Sequence, residues 1–401
     1  MKQPATGHGS WLARFSTREP AGLRARRAAT SPGARRIVTA LFAEAGVAID
    51  GPRPWDLRVL DDRLYARVIG GGTLGFGEAY MDGWWESDAI DELCCRALRA
   101  RLADRMPLNA ATLSVALRAR LFNLQSMRRA RSAVRAHYDL GNDFFEAMLD
   151  PALQYSCAYF DGTDDLGEAQ RRKMDLICRK LCLKPGMRLL DIGCGWGGLA
   201  RHAARHHGCR VVGITLSAEQ QAYAARASEG LPVEIRLQDY RDVADSFDRV
   251  VSVGMMEHVG YKNYRRFMSA AARCLGDGGL FLCHTIGGNV SNVCSDRWIN
   301  RHVFPDSMLP SAAQVTRAAE GLFVLEDVQN LGPHYDRTLL AWERNFRLSW
   351  PRFRPAYGER FGRMWRYYLL SCAGAFRARN IELFQFVLSK GGVPGGWIPV
   401  R

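Results

Sequence analysis

Short apolar runs alternate with helix-like patterns between residues 189 and 285. The runs are bounded by glycine or polar residues and are rich in valine, leucine and isoleucine, which is typical of buried strands. They cover residues 189–192, 209–215, 233–237, 249–254 and 279–285. Helical periodicity begins after the first run and recurs over 217–227 and 263–274. This alternation predicts an α/β fold with a doubly wound parallel sheet, in which ligands bind beyond the carboxyl ends of the strands.

The chain before this region lacks such alternation and is expected to form smaller, separate units. Residues 1–36 are rich in arginine and contain one acidic residue, which predicts a disordered basic tail. An organelle transit peptide fits less well, because no amphipathic face is visible. Residues 37–110 are predicted to form an α+β domain, with an initial helix and short strands at 57–60 and 64–68. The glycine-rich stretch 70–78 is predicted to be a turn, since no phosphate-binding helix with a lysine follows it.

Residues 111–134 carry leucines at helical spacing among arginines, with no acidic residue in the stretch. Such a basic amphipathic helix suits the surface of an anionic membrane, where leucines meet lipid and arginines meet phosphates. A helix that packs on the catalytic domain and exposes its arginines explains the pattern equally well. Nucleic acid is a weaker interpretation, because no recognition module is present. The helix would link the N-terminal domain to a catalytic domain over residues 135–401.

The composition adds a net charge of +14 over 401 residues, which is compatible with an anionic partner such as a membrane surface. No apolar run is long enough to span a bilayer and no signal-peptide core is visible, so we expect a cytoplasmic protein. The eleven cysteines show neither the spacing of a zinc site nor that of a secreted disulfide framework. We therefore expect reduced thiols and no metal.

The clearest motif spans residues 189–198, where an apolar strand reaches Asp191 and continues through Gly193 and Gly195. Glycines allow the backbone to approach a ligand closely, and the N-terminus of the following helix favours anionic or polar groups. A dinucleotide-binding fold has similar glycine spacing. The second strand, however, ends in Thr215, where a dinucleotide site needs an acidic residue for the ribose. The motif resembles instead the first motif of S-adenosylmethionine (AdoMet) methyltransferases.

Polar residues also follow the other predicted strands. Asp239 follows the third strand, Glu257 follows the fourth, and His284 closes the fifth. Because the carboxyl ends of parallel strands meet at one edge of the sheet, these side chains are expected to share a crevice with the glycine motif. A carboxylate and an imidazole in a poorly hydrated pocket can transfer protons, and the residues alone favour Glu257 as the base. His258 is interpreted as structural.

Further segments extend the pattern over nearly the whole chain. They lie at 137–145, 149–151, 154–159, 191–198, 252–260, 298–300, 304–305, 309–311 and 372–379. Together they resemble the bacterial cyclopropane-fatty-acyl-phospholipid synthases. Residues 75–86 and 121–126 are similar to the branch of the family that acts on phospholipids rather than to the shorter mycolic-acid branch.

The resemblance implies a seven-stranded AdoMet methyltransferase sheet that transfers a methylene group from AdoMet to the cis double bond of an acyl chain. The chain would still be esterified in a membrane phospholipid, so an anionic membrane surface is the expected partner. The protein would be peripheral on the inner face of the cytoplasmic membrane, and relatives suggest a homodimer. No nucleic acid is expected to bind.

The resemblance also assigns residues to roles. Bound bicarbonate would act as the general base, held by the side chains of Glu257, His284 and Tyr335 and by backbone groups of Cys157 and Ile286. For the cofactor, the resemblance assigns Tyr155, Ser156, Gly193, Thr215, Gln220 and Tyr240. The glycine motif and the strand ends add Asp191, Gly195 and Asp239. The contact with adenine stays open, because the pair at 240–241 departs from the Trp-Glu pair of some relatives. Aromatic faces that would stabilise positive charge on the acyl chain are Tyr138, Tyr335 and Phe304.

Three alternatives remain. An AdoMet methyltransferase of the same family would leave a methyl or methylene branch on the lipid. A catalytically silent membrane-binding scaffold would keep the fold without the chemistry, although the intact acidic, imidazole and phenol positions favour an enzyme. A nucleic-acid methyltransferase is disfavoured, because the Asn/Asp-Pro-Pro-Tyr motif of amino-methylating DNA enzymes is absent.

Overall fold

The computed structural model of the protein describes residues 32–105, 141–293 and 295–401. The predicted helix over 111–134, Tyr138 and most of the predicted basic tail lie outside these residues. The described α-helices are α1 Pro32–Glu44, α2 Arg63–Met81, α3 Ile90–Arg99, α4 Asn142–Met148, α5 Leu166–Lys180, α6 Gly198–His207, α7 Ala218–Ala227, α8 Tyr264–Cys274, α9 Arg297–His302, α10 Ala312–Ala319, α11 Gly332–Tyr357 and α12 Glu359–Arg377. The described strands are β1 Arg58–Val59, β2 Trp85–Glu86, β3 Arg188–Ile192, β4 Arg210–Thr215, β5 Val233–Leu237, β6 Phe247–Val253, β7 Leu275–Gly287, β8 Val324–Asn330 and β9 Glu382–Ser389.

A seven-stranded sheet forms the centre of the catalytic part, in the order β5-β4-β3-β6-β7-β9-β8. Neighbouring strands in the series β5-β4-β3-β6-β7 pair in parallel. Strand β9 pairs antiparallel with both β7 and β8. All five strands predicted from apolar runs are present, so the α/β fold is confirmed. The two strands not located individually from sequence are β8, which carries several polar side chains at the sheet edge, and β9, which is buried throughout.

The N-terminal region is more helical than its sequence pattern predicted. Helix α1 begins at Pro32, so the predicted disordered tail is wrong for residues 32–36. Proline fits the first turn of a helix because its missing N–H is not needed there. The predicted strand at 64–68 is also wrong, since Leu64 and Val68 are buried at helical spacing in α2.

Glycines at 70–78 lie inside α2, where a turn was predicted, and the helix is kinked at Gly72, whose φ is 57°. Other glycines of this helix allow close packing instead of a turn. At Gly77, an added Cβ would lie 2.5 Å from a ring atom of Trp298 on α9. The absence of a side chain therefore lets α2 approach the catalytic part directly.

One hydrophobic core joins the N-terminal helices to the catalytic part. It includes Leu93 of α3 together with Trp365 and Phe376 of α12. Helix α12 packs closely on α3, because an added Cβ at Gly374 would lie 2.3 Å from the carbonyl oxygen of Asp91. The two parts therefore share one core. The division into two domains at residue 110 stays a prediction.

Candidate active site

A cavity lies beyond the carboxyl ends of β3, β4 and β6, as expected for this sheet. Eight of the nine predicted cofactor residues line it, namely Tyr155, Ser156, Asp191, Gly193, Gly195, Thr215, Gln220 and Tyr240. Asp239 is buried beside the cavity but does not line it. Its two carboxylate oxygens accept hydrogen bonds from the guanidinium of Arg241, at 2.7 and 2.6 Å.

The glycine motif forms a tight turn between β3 and α6. Gly193, Gly195 and Gly197 all have positive φ, at 84°, 55° and 78°. Residues with a side chain rarely adopt this conformation, so glycine is required for the turn. The N–H groups of Gly193 and Cys194 each donate to the carbonyl oxygen of Ile214 on β4, both at 3.0 Å. These bonds attach the turn to the neighbouring strand and hold its backbone against the cavity.

Asp191 places a buried carboxylate at the cavity wall. Among the described residues, its Oδ2 atom has no hydrogen-bond partner. Burial raises the pKa of Asp191 to about 7, and the positive charge of Lys173 opposes this shift. An unpaired carboxylate oxygen beside a glycine turn fits a ligand that carries a cationic group, as the amino group of AdoMet does. The residues present are therefore suited to this cofactor.

The cavity segment 154–156 is held from behind by two polar side chains of α5. Lys173 is fully buried and its Nζ donates to Gln154 Oε1 at 2.6 Å and to Ser156 Oγ at 2.8 Å. Gln170 Nε2 donates to the carbonyl oxygens of Gln154 and Ser156, at 3.2 and 2.9 Å. Sequence reasoning missed both residues. The signal was available, because they are polar residues at helical spacing with Ile177 on the buried face of α5.

A second polar cluster joins the end of β6 to the end of β7. Glu257 Oε1 accepts a 2.7 Å hydrogen bond from the backbone N–H of Ile286. Glu257 Oε2 is buried and has no partner among the described residues. Burial raises the pKa of Glu257 to about 7, while backbone hydrogen bonds, including that from Ile286, oppose the shift. The geometry therefore brings together two of the residues predicted to serve the base, and it leaves one acceptor oxygen available.

His284 contributes a donor to this cluster. Its Nδ1 atom lies 3.2 Å from the side-chain amide nitrogen of Gln385; with this nitrogen as the donor, Nδ1 accepts and Nε2 carries the imidazole proton. Nε2 is buried and has no partner among the described residues. Burial, and after it the positive charges of Lys173 and Lys180, lowers the pKa of His284 well below its usual value. The ring is therefore neutral at physiological pH. Gln385 was not identified from sequence, because β9 was not predicted.

Tyr335 and Cys157 are also buried near this cluster. The Tyr335 ring, at the start of α11, stacks on Phe376 with centroids 4.6 Å apart. Burial, and then the negative charges that Cys157, Tyr155 and Glu257 can carry, raises the pKa of Tyr335 well above its usual value. Burial also raises the pKa of the Cys157 thiol, which contacts the carbonyl oxygen of Ala158. The thiol is therefore protonated, which agrees with a wall or backbone role and not with a nucleophile.

Aromatic rings also lie beside the cavity. Phe304 lies 5.7 Å from Tyr368 and 5.8 Å from His258, measured between ring centroids. His258 itself lines the cavity, together with Pro305 and Asp306, although sequence reasoning treated this histidine as structural. The protein thus has a cleft beside a buried cluster that holds one unpaired acceptor and one unpaired donor among the described residues. Such a cluster can hold a small polar molecule or exchange a proton.

Comparison with known proteins gives a consistent result. Residues 125–386 match the family described as mycolic acid cyclopropane synthetase. A cyclopropane-fatty-acyl-phospholipid synthase of Escherichia coli is 52% identical over 357 residues, which are 89% of this chain and 93% of that protein. A tuberculostearic acid methyltransferase of Mycobacterium tuberculosis is 34% identical over 83% of this chain and 82% of its own length. A solved mycolic acid cyclopropane synthase in complex with SAH and CTAB aligns with a TM-score of 0.62 and 35% identity, covering 65% of this chain and 98% of that one.

Proposed function

Because the chain belongs to the mycolic acid cyclopropane synthetase family and is an AdoMet-dependent enzyme, we propose that it converts cis double bonds of membrane phospholipid acyl chains to cyclopropanes. The observation that carries the proposal is the buried cluster beside the cofactor cavity, with unpaired atoms on Glu257 and His284. Methylene transfer needs a group that removes a proton in a dry site, and this cluster meets the requirement. The similarity to a phospholipid synthase over 89% of the chain supports a phospholipid substrate.

AdoMet would supply an electrophilic methyl group on sulfur. Asp191 Oδ2 would bind the amino group of AdoMet, and the turn at Gly193 and Gly195 would lie against the cofactor. Lys173 and Gln170 keep the segment 154–156 in place through the bonds described above. These residues orient the cofactor, and holding two reactants in position contributes on the order of 7–11 kcal/mol to lowering a barrier in favourable cases.

The fate of the acyl chain follows from its chemistry. The alkene forms a bond to the methyl carbon as the carbon–sulfur bond breaks, which leaves positive charge on the chain and releases S-adenosylhomocysteine. The transferred carbon then loses one proton, and the ring closes. Aromatic faces of Tyr335 and Phe304 would stabilise the charge, and the buried surroundings would exclude water. Tyr138, which we propose for the same role, lies outside the described residues.

The proton acceptor is proposed to be bicarbonate bound by Glu257, His284 and Tyr335, with backbone groups of Cys157 and Ile286. The fit rests on complementary atoms, because bicarbonate offers both a hydroxyl and acceptor oxygens. Glu257 Oε2 is an acceptor without a partner among the described residues. The neutral His284 Nε2–H is a donor that likewise has no partner among them. When bound there, bicarbonate would accept the proton of the transferred carbon. The simpler candidate is Glu257 itself, which would serve as the base without an added anion.

Isotopic labelling tests the reaction type. With AdoMet that carries a fully deuterated methyl group and vesicles of unsaturated phospholipid, the product is expected to retain two of the three deuterium atoms and to contain no double bond at the modified site. The reason is that ring closure requires the loss of one proton. Mass spectrometry of the acyl chains before and after catalytic hydrogenation measures both features.

Other outcomes distinguish the alternatives. A product with all three deuterium atoms is a methyl branch, the result expected for a relative of the tuberculostearic acid methyltransferase. Two deuterium atoms together with a reducible double bond indicate a methylene branch. Binding of AdoMet without any labelled lipid supports a silent scaffold. In bicarbonate-depleted buffer we expect a lower rate that added bicarbonate restores, whereas an unchanged rate favours Glu257 as the base.

We further propose that the enzyme acts while peripherally bound to an anionic membrane, on the cytoplasmic side, and as a homodimer. In the part of the chain that the structure describes, no helix has the length and apolar character needed to cross a bilayer. Membrane binding would therefore depend on surface groups, including the arginines within residues 111–134 and the N-terminal region 37–110. That basic segment lies outside the described residues, so its role rests on its sequence.

Charge removal in this segment tests the membrane proposal. Replacement of Arg128, Arg129 and Arg131 by glutamine is expected to weaken vesicle binding roughly 100-fold at low salt, because each arginine near an anionic surface contributes about 1 kcal/mol that salt screens. Sedimentation with vesicles of increasing anionic lipid content, at low and high salt, measures the effect. AdoMet affinity should not change.

A matched variant controls for net charge. Arg210, Arg226 and Arg317 are exposed on the catalytic part, and their replacement by glutamine removes the same charge elsewhere. Equal loss of vesicle binding in both variants would show that only total charge matters. Unchanged binding in the first variant would show that the segment does not contact the membrane.

A further inference from the structure

A compact group of metal-binding side chain types lies between α5 and α6, outside the cleft already described. Cys178 belongs to α5, and His202 and His207 belong to α6. One ligand atom from each of these three residues lies within 4.8 Å of the others. Cys178 and His202 are buried, and His207 is partly buried. Neither the catalytic chemistry nor the cofactor cavity uses any of them.

A carboxylate lies beside the two imidazoles of this group. Asp175 lies one helical turn before Cys178 on α5, so both side chains face α6. Its Oδ1 atom lies 3.2 Å from His202 Nε2 and 3.6 Å from His207 Nε2. Two nitrogen ligands and one oxygen ligand of a tetrahedral zinc ion stand roughly 3.3 Å apart, given bond lengths of about 2.0–2.1 Å. The distance from the carboxylate oxygen to each imidazole nitrogen is therefore already close to that between two metal ligands.

The bonding within the protein leaves this group incomplete. His207 Nε2 is buried and has no hydrogen-bond partner among the described residues, since its distance to the carboxylate is too long for a hydrogen bond. A buried polar atom without a partner lowers the stability of the folded state. The Cys178 thiol is likewise fully buried next to two imidazoles, where an ordinary core position would hold only apolar neighbours. A bound cation would satisfy both.

We propose that Asp175, Cys178, His202 and His207 form a binding site for a divalent cation of the zinc class. One thiolate, two imidazole nitrogens and one carboxylate oxygen suit a borderline-soft ion in tetrahedral geometry, and they disfavour magnesium or calcium, which prefer oxygen ligands. Sequence reasoning predicted no metal because the cysteines lack C-x-x-C spacing. Here the ligands come from two helices, at spacings of three and five residues, and only their packing brings them together.

The proposed site would join two helices that support the cofactor cavity. Helix α5 carries Gln170 and Lys173, which fix segment 154–156. Helix α6 starts at Gly198, directly after the glycine turn. A metal ion that cross-links α5 and α6 would stabilise this framework without touching the reacting groups, since anything that binds only the folded state raises its stability.

Cobalt is the probe for this proposal, because a thiolate ligand produces a near-ultraviolet charge-transfer band that zinc does not. Untagged full-length protein, treated with a chelator, is expected to bind one Co²⁺ with this band, and added Zn²⁺ should abolish the band and raise the melting temperature. Cys178→Ser should lose the charge-transfer band. His207→Gln should weaken cobalt binding at least tenfold while the circular dichroism of the protein stays unchanged.

Two control variants share the location but not the proposed role. Cys182→Ser removes an exposed thiol just beyond α5, and His206→Gln removes a ring that lies 4.6 Å from the His202 ring. Both should bind cobalt like the unmodified protein. The proposal is overturned if the unmodified protein shows no stoichiometric band, if the band persists in Cys178→Ser, or if the controls lose binding as strongly as His207→Gln. These readouts do not depend on lipid or AdoMet, so they are independent of the proposed reaction.

Discussion

Glu257→Gln is expected to lower turnover by about 10²- to 10⁴-fold, the range typical of a lost proton-transfer group. The amide keeps an oxygen that can accept the hydrogen bond from the Ile286 backbone, so the local fold should survive. The amide carries no negative charge, so it cannot replace Glu257 Oε2, the acceptor that has no partner among the described residues. Because the carboxylate does not line the cofactor cavity, AdoMet affinity should be retained.

The measurement pairs single-turnover rates on phospholipid vesicles with AdoMet binding by calorimetry. His284→Ala should behave like the glutamine variant, since it removes the donor of the same cluster. Glu229→Gln, on the exposed end that follows α7, serves as the matched control and should leave both quantities unchanged. Parallel losses of AdoMet affinity and turnover in Glu257→Gln would mean that this carboxylate serves the cofactor and not the proton transfer.

AdoMet affinity is expected to fall as the pH decreases through about 7, because Asp191 must be ionised to bind a cationic amino group. Burial raises the pKa of this carboxyl to about 7, so the charged form dominates only above that pH. Asp191→Asn should weaken AdoMet binding roughly 10- to 100-fold, as expected for a lost hydrogen bond between charged groups. It should also abolish the pH dependence between 6 and 8.

Calorimetric titrations at several pH values measure this effect in buffers of equal ionic strength. Two other ionisable groups near the cavity have lowered pKa values, whereas the pKa of Asp191 is raised. Burial lowers the pKa of His258 to about 4, and burial lowers that of Lys173 to about 8 against the opposing charge of Asp150. Asp277→Asn, on a fully exposed carboxylate, is the control. Affinity that does not vary with pH in the unmodified protein would contradict the role given to Asp191.

The catalytic fold was predictable because each parallel strand is a separate apolar run followed by a glycine or a polar residue. The same rule located Asp191, Glu257 and His284, since the carboxyl ends of such strands meet at one edge. Roles for Tyr335 and Cys157 came only through resemblance to a family, because neither follows a predicted strand. The structure places both near the cluster, but their functions stay proposals.

Other features depend on contacts between distant segments and could not be read from local pattern. The hydrogen-bond partner of Lys173 is one example, since Gln154 is 19 positions away and lies on a different segment. The glycines of α2 were misread because close helix packing and turns both favour residues without a side chain. Gly77 distinguishes the two cases only when Trp298 is placed against it.

The core shared by α3 and α12 has a consequence for synthesis on the ribosome. Helix α3 is complete after residue 99, whereas α12 spans residues 359–377. The apolar face of the N-terminal helices therefore has no final partner until α12 has been made. Contacts so distant in sequence form late and leave apolar surface exposed in the meantime. We therefore expect the N-terminal helices to be made before α12 and to finish folding only after it, with apolar surface exposed to aggregation in the interval.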